Sequence, residues 1–113
     1  MLNDSSLLDR TFQALADPTR RGMLARLSRG PASVSDLARP LSMSLPAVLQ
    51  HLQALEQSGL VKSQKKGRVR TVRIEPAAMT SAERWFAEQR SLWEARADRL
   101  EDYLAALQNE GEE

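Results

Sequence analysis

The fold of this chain is decided by residues 44–61, SLPAVLQHLQALEQSGLV. Ser44 is a favourable helix N-cap, and Pro46 fits the first turn, where a missing N–H leaves no helical hydrogen bond unmade. Gly59 is placed to end the helix, as glycine commonly does. Apolar residues recur at helical spacing and form one stripe, Val48, Leu52 and Leu55. The stretch therefore predicts one helix with a defined start, a defined end and one buried face.

The opposite face of this helix carries amides in place of charges. Its members are Pro46, Gln50, Gln53 and Gln57. A glutamine can form a bidentate pair with N6 and N7 of adenine. The face therefore suits contact with DNA base edges better than plain solvation.

Composition bounds the class of protein. The chain has 113 residues, of which 42% are hydrophobic and 27% are charged, as in a globular domain. It has no cysteine, which excludes a disulfide framework, a thiolate metal site and a thiol redox switch. No apolar run approaches the ~20 residues of a membrane helix, and residues 1–10 lack the basic region of a signal peptide. We expect one cytoplasmic domain over residues 1–113.

The charge is unevenly distributed along the chain. Residues 1–75 hold 12 basic and 6 acidic side chains, whereas residues 76–113 hold 4 and 9. A basic body favours a polyanionic partner. Ordinary surface charge is the alternative interpretation, because a balance of +6 over 75 residues is not extreme.

Three helices are predicted ahead of residue 44. The first covers residues 5–16 and is capped by Ser5 or Ser6. The second begins with Asp17 as N-cap, runs to about Ser28, and buries Met23, Leu24 and Leu27. The third covers residues 33–39, with Ser33 and Asp36 as a capping box. With the turn at 41–43, residues 33–59 form a helix-turn-helix, whose second helix enters the major groove.

A β-hairpin is predicted after the helix-turn-helix. Two strand-like runs, residues 60–66 and 68–75, flank Gly67. The tip carries four cations, Lys65, Lys66, Arg68 and Arg70. Such a wing would lie on the sugar-phosphate backbone, where Lys and Arg add affinity without sequence information.

The last predicted helix covers residues 80–108 and begins with a capping box formed by Thr80 and Glu83. Four apolar side chains recur every seven residues, Phe86, Trp93, Leu100 and Leu107. The stripe is widened by Trp85, Leu92, Ala97, Tyr103 and Leu104. Such a long stripe exceeds what a 75-residue body can cover, so we expect it to pair with a second subunit, together with Leu8 and Phe12 of the first helix. A helix wrapped over its own domain is the alternative.

Three segments together carry a family resemblance. They are residues 14–27 (ALADPTRRGMLARL), 33–61 (SVSDLARPLSMSLPAVLQHLQALEQSGLV) and 67–76 (GRVRTVRIEP). The chain resembles the ArsR/SmtB family of bacterial winged-helix repressors over roughly residues 5–105. The resemblance implies a winged helix-turn-helix of order α-α-α-α-β-β-α and a homodimer built from the first and last helices. It also implies a near-palindromic operator in double-stranded DNA and release of that DNA when an inducer binds.

The chain departs from the metal-sensing members of that family. Those members carry a Cys-x-Cys-type pair on the third helix, where this chain has Ser33 and Ser35, and serine hydroxyls do not replace thiolates for soft metals. The last helix has carboxylates but no histidine. We therefore expect no metal site and no cofactor, and no residue pattern identifies a small-molecule inducer.

The second helix of the helix-turn-helix, here called the recognition helix, supplies the predicted base contacts. The predicted DNA contacts are Ser44, Pro46, Ala47, Leu49, Gln50, His51 and Gln53, with Lys65, Lys66, Arg68 and Arg70 of the wing. Leu49 is either a contact with a thymine methyl or a packing residue, and Leu45 is interpreted as turning toward the apolar stripe. His51 packs under the helix or contacts a phosphate; a base contact, or a role as a pH or metal sensor, is the alternative.

No catalytic constellation is present in the sequence. There is one histidine, no cysteine and no glycine-rich phosphate loop, so an enzyme is not expected. The second hypothesis is a winged-helix module that binds protein and not DNA. The wing discriminates between the two, because a protein-docking version has no need for four cations around one glycine.

Overall fold

The computed structural model describes the backbone of residues 4–111 and the side chains of residues 6–111. The helices are α1 (Asp4–Leu15), α2 (Pro18–Leu27), α3 (Val34–Ala38), α4 (Leu45–Gln57) and α5 (Thr80–Gly111). The strands are β1 (Ala32–Ser33), β2 (Val61–Lys66) and β3 (Val69–Ile74), and a 3-10 turn covers Pro76–Met79. The chain divides into two compact units, Met1–Ser81 and Ala82–Glu113.

The three middle helices begin at capped positions. The side chains of Asp17, Ser33 and Ser44 each accept the backbone N–H three residues further on, at 3.1, 3.0 and 3.3 Å. Each of these hydrogen bonds satisfies one of the N–H groups that a helix start leaves without a partner. Gly59 follows the end of α4 with φ +81°. The predicted caps of α2, α3 and α4 and the glycine stop are confirmed.

Two other predicted caps are wrong. α1 begins before Ser5, so Ser5 and Ser6 both fall inside the helix. Thr80 has helical φ −60° and ψ −41°, whereas an N-cap residue is extended; the 3-10 turn ahead of it feeds directly into α5. α5 also continues to Gly111, beyond the predicted end at 108, and residues 112–113 of the chain's acidic end lie outside the described residues.

A three-stranded antiparallel sheet carries the predicted hairpin. The strand order is β1-β3-β2. Lys66 pairs with Val69, so Gly67 and Arg68 form a two-residue turn. Gly67 has φ +64°, and no described residue other than glycine has a positive φ, which matches a type II′ turn. The predicted hairpin is confirmed.

The strand β1 is an addition to the predicted α-α-α-α-β-β-α order. Ala32 and Ser33 pair with Val72 and Thr71 of β3. A two-residue strand is too short to show the alternation by which strands are recognised in a sequence. Its pairing places the cap of α3 directly beside the wing strand β3.

The core of the first unit lies between α4 and the elements around it. Val48 and Leu55 of α4 are fully buried, and Leu52 is nearly so. They join a cluster of buried apolar side chains that includes Met23, Leu24, Leu27, Leu37, Leu60, Val61 and Val72. The buried faces predicted for α2 and α4 are confirmed. Because one face of α4 is anchored in this way, its other face is held toward solvent.

Two arginines at the start of α2 join it to the end of α1. Arg20 donates from Nε and Nη2 to the carbonyls of Ala14 and Gln13, both at 2.9 Å. Arg21 donates from Nη1 to the carbonyl of Leu15 at 2.6 Å. A helix C-terminus leaves its last carbonyls without partners, and these guanidinium groups supply them. The two arginines are therefore tied into the fold.

α5, taken by itself, has 32 residues and no buried residue, and it is about 48 Å long. Its exposed large apolar side chains are Trp85, Phe86, Leu92, Trp93, Leu100, Tyr103, Leu104 and Leu107. Among the described residues, no helix is long and apolar enough to cross a membrane. Within the same part of the chain, no three His, Cys, Asp or Glu side chains are grouped as metal ligands.

Candidate nucleic-acid interface

α4 exposes the amide side chains that the sequence assigns to base contacts. Gln50 and Gln53 are both exposed, on the side away from the buried stripe. At the start of the helix, Ser44 and Pro46 are exposed and Ala47 is half-buried. The small side chains at the start of α4 therefore allow a groove edge to approach closely, with the amides of Gln50 and Gln53 beside them.

Two leucines on the same helix are exposed as well. Leu45 is 55% exposed and Leu49 is 44% exposed. The interpretation of Leu45 as an inward residue is wrong, because more than half of the residue is exposed: it is the first residue of α4, ahead of the buried stripe that begins with Val48. For Leu49 the exposure weakens the packing alternative. The contact with a thymine methyl stays a prediction.

The wing carries its cations in two groups. At its base, Lys62 and Arg73 both pair with Glu75, at 3.6 and 3.2 Å. Toward its tip, Lys65 and Lys66 are exposed, and so is Arg68 in the turn. Among the described side chains, no carboxylate forms an ion pair with these three tip cations. The tip therefore concentrates positive charge that is not neutralised locally.

Arg70 has a partner within the fold. Its Nη1 donates a 2.9 Å hydrogen bond to Ser63 Oγ on β2, and that hydroxyl in turn donates to Oε1 of Glu56 on α4. The three side chains link both wing strands to the recognition helix. Arg70, which the sequence assigns to phosphate contact, thus also holds the wing in place.

An open concavity lies between α3, the start of α4 and the wing. Four of the predicted contacts line it together: Leu49, Lys65, Arg68 and Arg70. Gln50, Gln53 and Lys66 do not line it.

One further residue, Arg39, lines the same concavity and pairs with Asp36 at 3.0 Å. The sequence interpretation missed Arg39. Its position at the end of the first helix of the helix-turn-helix could have indicated that it lies near the DNA.

His51 faces the inside of the domain. Its Nδ1 is buried without a hydrogen-bond partner among the described residues and lies 3.8 Å from Oδ2 of Asp17. The backbone N–H of Arg20, which donates to this carboxylate, lowers the pKa of Asp17 below its ordinary value; partial burial opposes the shift and His51 adds to it. The position of Nδ1 favours the packing role of His51 over a phosphate contact through that nitrogen.

The predicted dimer residues lie on two elements. Leu8 and Phe12 of α1 are half-buried. Those of α5 are exposed: Phe86, Trp93, Leu100, Tyr103, Leu104 and Leu107. Their pairing with a second subunit stays a prediction.

Comparison with known proteins identifies the family. The family profile described as "Helix-turn-helix domain" matches residues 15–64. The chain is similar to the HTH-type transcriptional regulator Rv2034 of Mycobacterium tuberculosis, with 44% identity over 73 residues that cover 65% of this chain and 68% of that protein.

Two solved structures share the fold. One is an ArsR family transcriptional regulator, RHA00566, with 53% identity and a TM-score of 0.78, covering 83% of this chain and 97% of that chain. The other is the homodimeric winged helix-turn-helix DNA-binding domain Mb0332 of Mycobacterium bovis, with 30% identity and a TM-score of 0.59, covering 76% and 82%. The sequence, the three-stranded winged fold and these likenesses agree, and this chain belongs to the ArsR family of winged helix-turn-helix transcriptional regulators.

Proposed function

We propose that the chain is a homodimeric repressor that binds a palindromic operator in double-stranded DNA. The observation that carries this proposal is the pairing of two surfaces. One is the exposed amide face of α4, and the other is the cationic tip of the wing, residues 61–74, immediately after it in the chain. An amide face reads base edges, and a cationic tip binds phosphates.

In this mechanism α4 enters the major groove with its N-terminal half first. The amides of Gln50 and Gln53 exchange hydrogen bonds with base edges. The small residues at the helix start, Ser44, Pro46 and Ala47, allow the helix to approach the bases closely. Lys65, Lys66 and Arg68 contact the phosphates beside the groove. These backbone contacts position the protein and the side chains of α4 specify the sequence.

The homodimer is supported by α5. Its apolar stripe is exposed along the helix, and a related winged-helix domain is homodimeric. A two-fold dimer repeats each contact on both protomers, so its operator consists of two inverted half-sites, about one helical turn of DNA or a multiple apart. A dimer seated on both half-sites blocks other proteins from the same DNA, which is repression.

The signal that releases the operator is expected not to be a thiolate-bound metal. Ser33 and Ser35 stand on β1 and α3 where metal-sensing relatives have thiols, and the chain has no cysteine. Operator affinity should therefore be the same with added Zn²⁺ and with a chelator. A large loss of affinity on adding Zn²⁺ would contradict this part of the proposal.

The test of DNA binding is its salt dependence. Binding to random duplex DNA should weaken as salt rises, because phosphate contacts release counterions. Replacing Lys66 by alanine should weaken binding to all sequences alike and flatten the slope of log K against log salt by about one unit. Lys62→Ala is the matched control, since the Lys62 ammonium pairs with Glu75 at the wing base. Absence of binding at low salt would favour the alternative, a winged-helix module for protein docking.

A further inference from the structure

We propose that α4 selects a half-site made of A·T pairs, in which Leu45 and Leu49 each pack against the C5-methyl group of a thymine. The inference rests on the proposed function, since it assumes that α4 enters the major groove. It goes further by naming the bases that are read and by assigning specificity to two leucines.

The first observation is the exposure of two large aliphatic side chains at the leading end of the helix. Leu45 is 55% exposed and Leu49 44% exposed. They lie one turn apart, so they form one exposed apolar strip. Leu45 is the first residue of α4, at the end that enters the groove first. Apolar side chains grouped at a contact surface indicate an apolar partner group.

The second observation is the absence of cations from the recognition helix. Residues 45–57, all of them described, contain no lysine and no arginine. Arg or Lys bound to O6 and N7 of guanine is the commonest specific contact in the major groove. α4 has no side chain of this kind. Its exposed amides, Gln50 and Gln53, match adenine instead.

The surroundings of the two leucines fit a nucleic acid better than an apolar peptide. Leu45 and Leu49 line the concavity together with Lys65 and Arg68 of the wing tip, whereas Arg39 there is paired with Asp36. The cations match phosphates, and the apolar strip beside them matches methyl groups. In the major groove of B-DNA, thymine alone among the four bases presents a methyl group. Leucine and glutamine side by side therefore select thymine and adenine.

The experiment starts from the DNA that the full-length protein selects from a random pool. Each thymine of the selected site is then replaced by deoxyuridine, which removes only the methyl group and keeps base pairing. Burial of one methyl is worth about fourfold in affinity. We expect two thymines in each half-site to show a loss of about this size, and the remaining positions to show none.

Variants assign each methyl to its leucine. Leu45→Ala and Leu49→Ala should each bind the thymine site more weakly and should each lose discrimination between thymine and uracil at one position, as a double-mutant cycle detects. Gln57→Ala, at the far end of α4, is the control that keeps both discriminations. Both leucines are exposed, so the variants are expected to keep the wild-type Tm. The Tm of each variant is measured as a control for folding.

The outcomes separate this inference from the function on which it rests. No binding to any duplex overturns the DNA-binding proposal itself. Salt-dependent selection of a site that binds equally well with thymine or uracil overturns only the methyl contacts. A selected half-site whose essential contacts are G·C pairs also overturns the inference and leaves DNA binding standing.

Discussion

His51 Nδ1 of α4 lies 3.8 Å from Oδ2 of Asp17, the residue that caps α2. The contact joins the recognition helix to the start of α2, which is itself tied to α1 by Arg20. Asp17 therefore serves two elements, because it accepts the backbone N–H of Arg20 and faces the only histidine of the chain. The pKa of its carboxyl is lowered, chiefly by that backbone hydrogen bond.

The first prediction concerns Asp17 and pH. A carboxyl whose pKa is lowered on folding stabilises the fold at pH values above its unfolded pKa, and the stabilisation is lost as pH falls through the folded pKa. Asp17→Ala should therefore lower Tm at neutral pH, and its difference from the wild type should shrink below the ordinary pKa of 3.8. Thermal unfolding across this pH range measures it. Asp9→Ala, at an exposed site on α1, is the control, and a difference that does not change with pH would contradict the linkage.

The sequence predicts correctly those features that depend on residues close together in the chain. The caps by Asp17, Ser33 and Ser44 depend on a hydrogen bond that spans three residues, so the pattern of residue types contains the whole interaction. The hairpin turn at Gly67 is local in the same sense, since a positive φ favours glycine. The buried stripe of α4 follows from its spacing alone.

What depends on packing is not visible in the same way. The hydroxyl of Ser63 bridges Glu56 and Arg70, each seven residues away, and no periodic pattern marks that link. The two-residue strand β1 exists only because β3 lies beside it. Leu45 was open to misinterpretation because its type favours burial, whereas its place at the first residue of α4, ahead of the buried stripe, leaves it exposed.

The second prediction concerns the arginine that joins α2 to α1. Arg20→Ala removes two hydrogen bonds from a charged donor to carbonyls at the end of α1. Hydrogen bonds to charged groups contribute about 1.5–3 kcal/mol each. Because Arg20 is only half-buried, we expect a contribution at the lower end of this range. Denaturant unfolding should show the loss as a lower free energy of unfolding. Arg29→Ala, at an exposed arginine after α2, should leave the free energy of unfolding nearly unchanged, and equal losses for both variants would refute a special role for Arg20.

The third prediction concerns the link between the wing and the recognition helix. Ser63→Ala removes the hydroxyl that joins Arg70 to Glu56. The outer half of the hairpin should then open more often, and its backbone amides should exchange hydrogen faster, with a loss in global stability of only about 1 kcal/mol. Hydrogen exchange resolved by residue is the measurement. Gln64→Ala, on the opposite face of β2, should keep wild-type exchange rates; unchanged rates in Ser63→Ala would show that the link does not hold the wing.

The fourth prediction concerns base contact by α4. Gln50→Ala should weaken binding to the selected operator by about 1–3 kcal/mol and relax the preference at one base position. The reason is that an adenine loses both of its hydrogen bonds from the amide. Affinities for the operator and for each single-base variant give the answer. Gln57→Ala is the matched amide control, and equal weakening by Gln50→Ala on every sequence would mean that Gln50 is not a base contact.

The fifth prediction concerns the dimer. Trp93 is 69% exposed on α5, so its removal should spare the fold of the protomer, while an interface built on it would lose a large aromatic anchor. Such anchors commonly contribute about 2 kcal/mol or more, which is roughly a thirtyfold weaker association. Trp93→Ala should therefore shift the protein toward monomer at low micromolar concentration in analytical ultracentrifugation. Asp98→Ala, at an exposed charged position away from the stripe on the same helix, should stay dimeric, and a Trp93→Ala protein that is as dimeric as this control would show that the α5 stripe is not the dimer interface. Because each protomer supplies one recognition helix, the same variant should also bind a single half-site with little change while it loses affinity for the full operator.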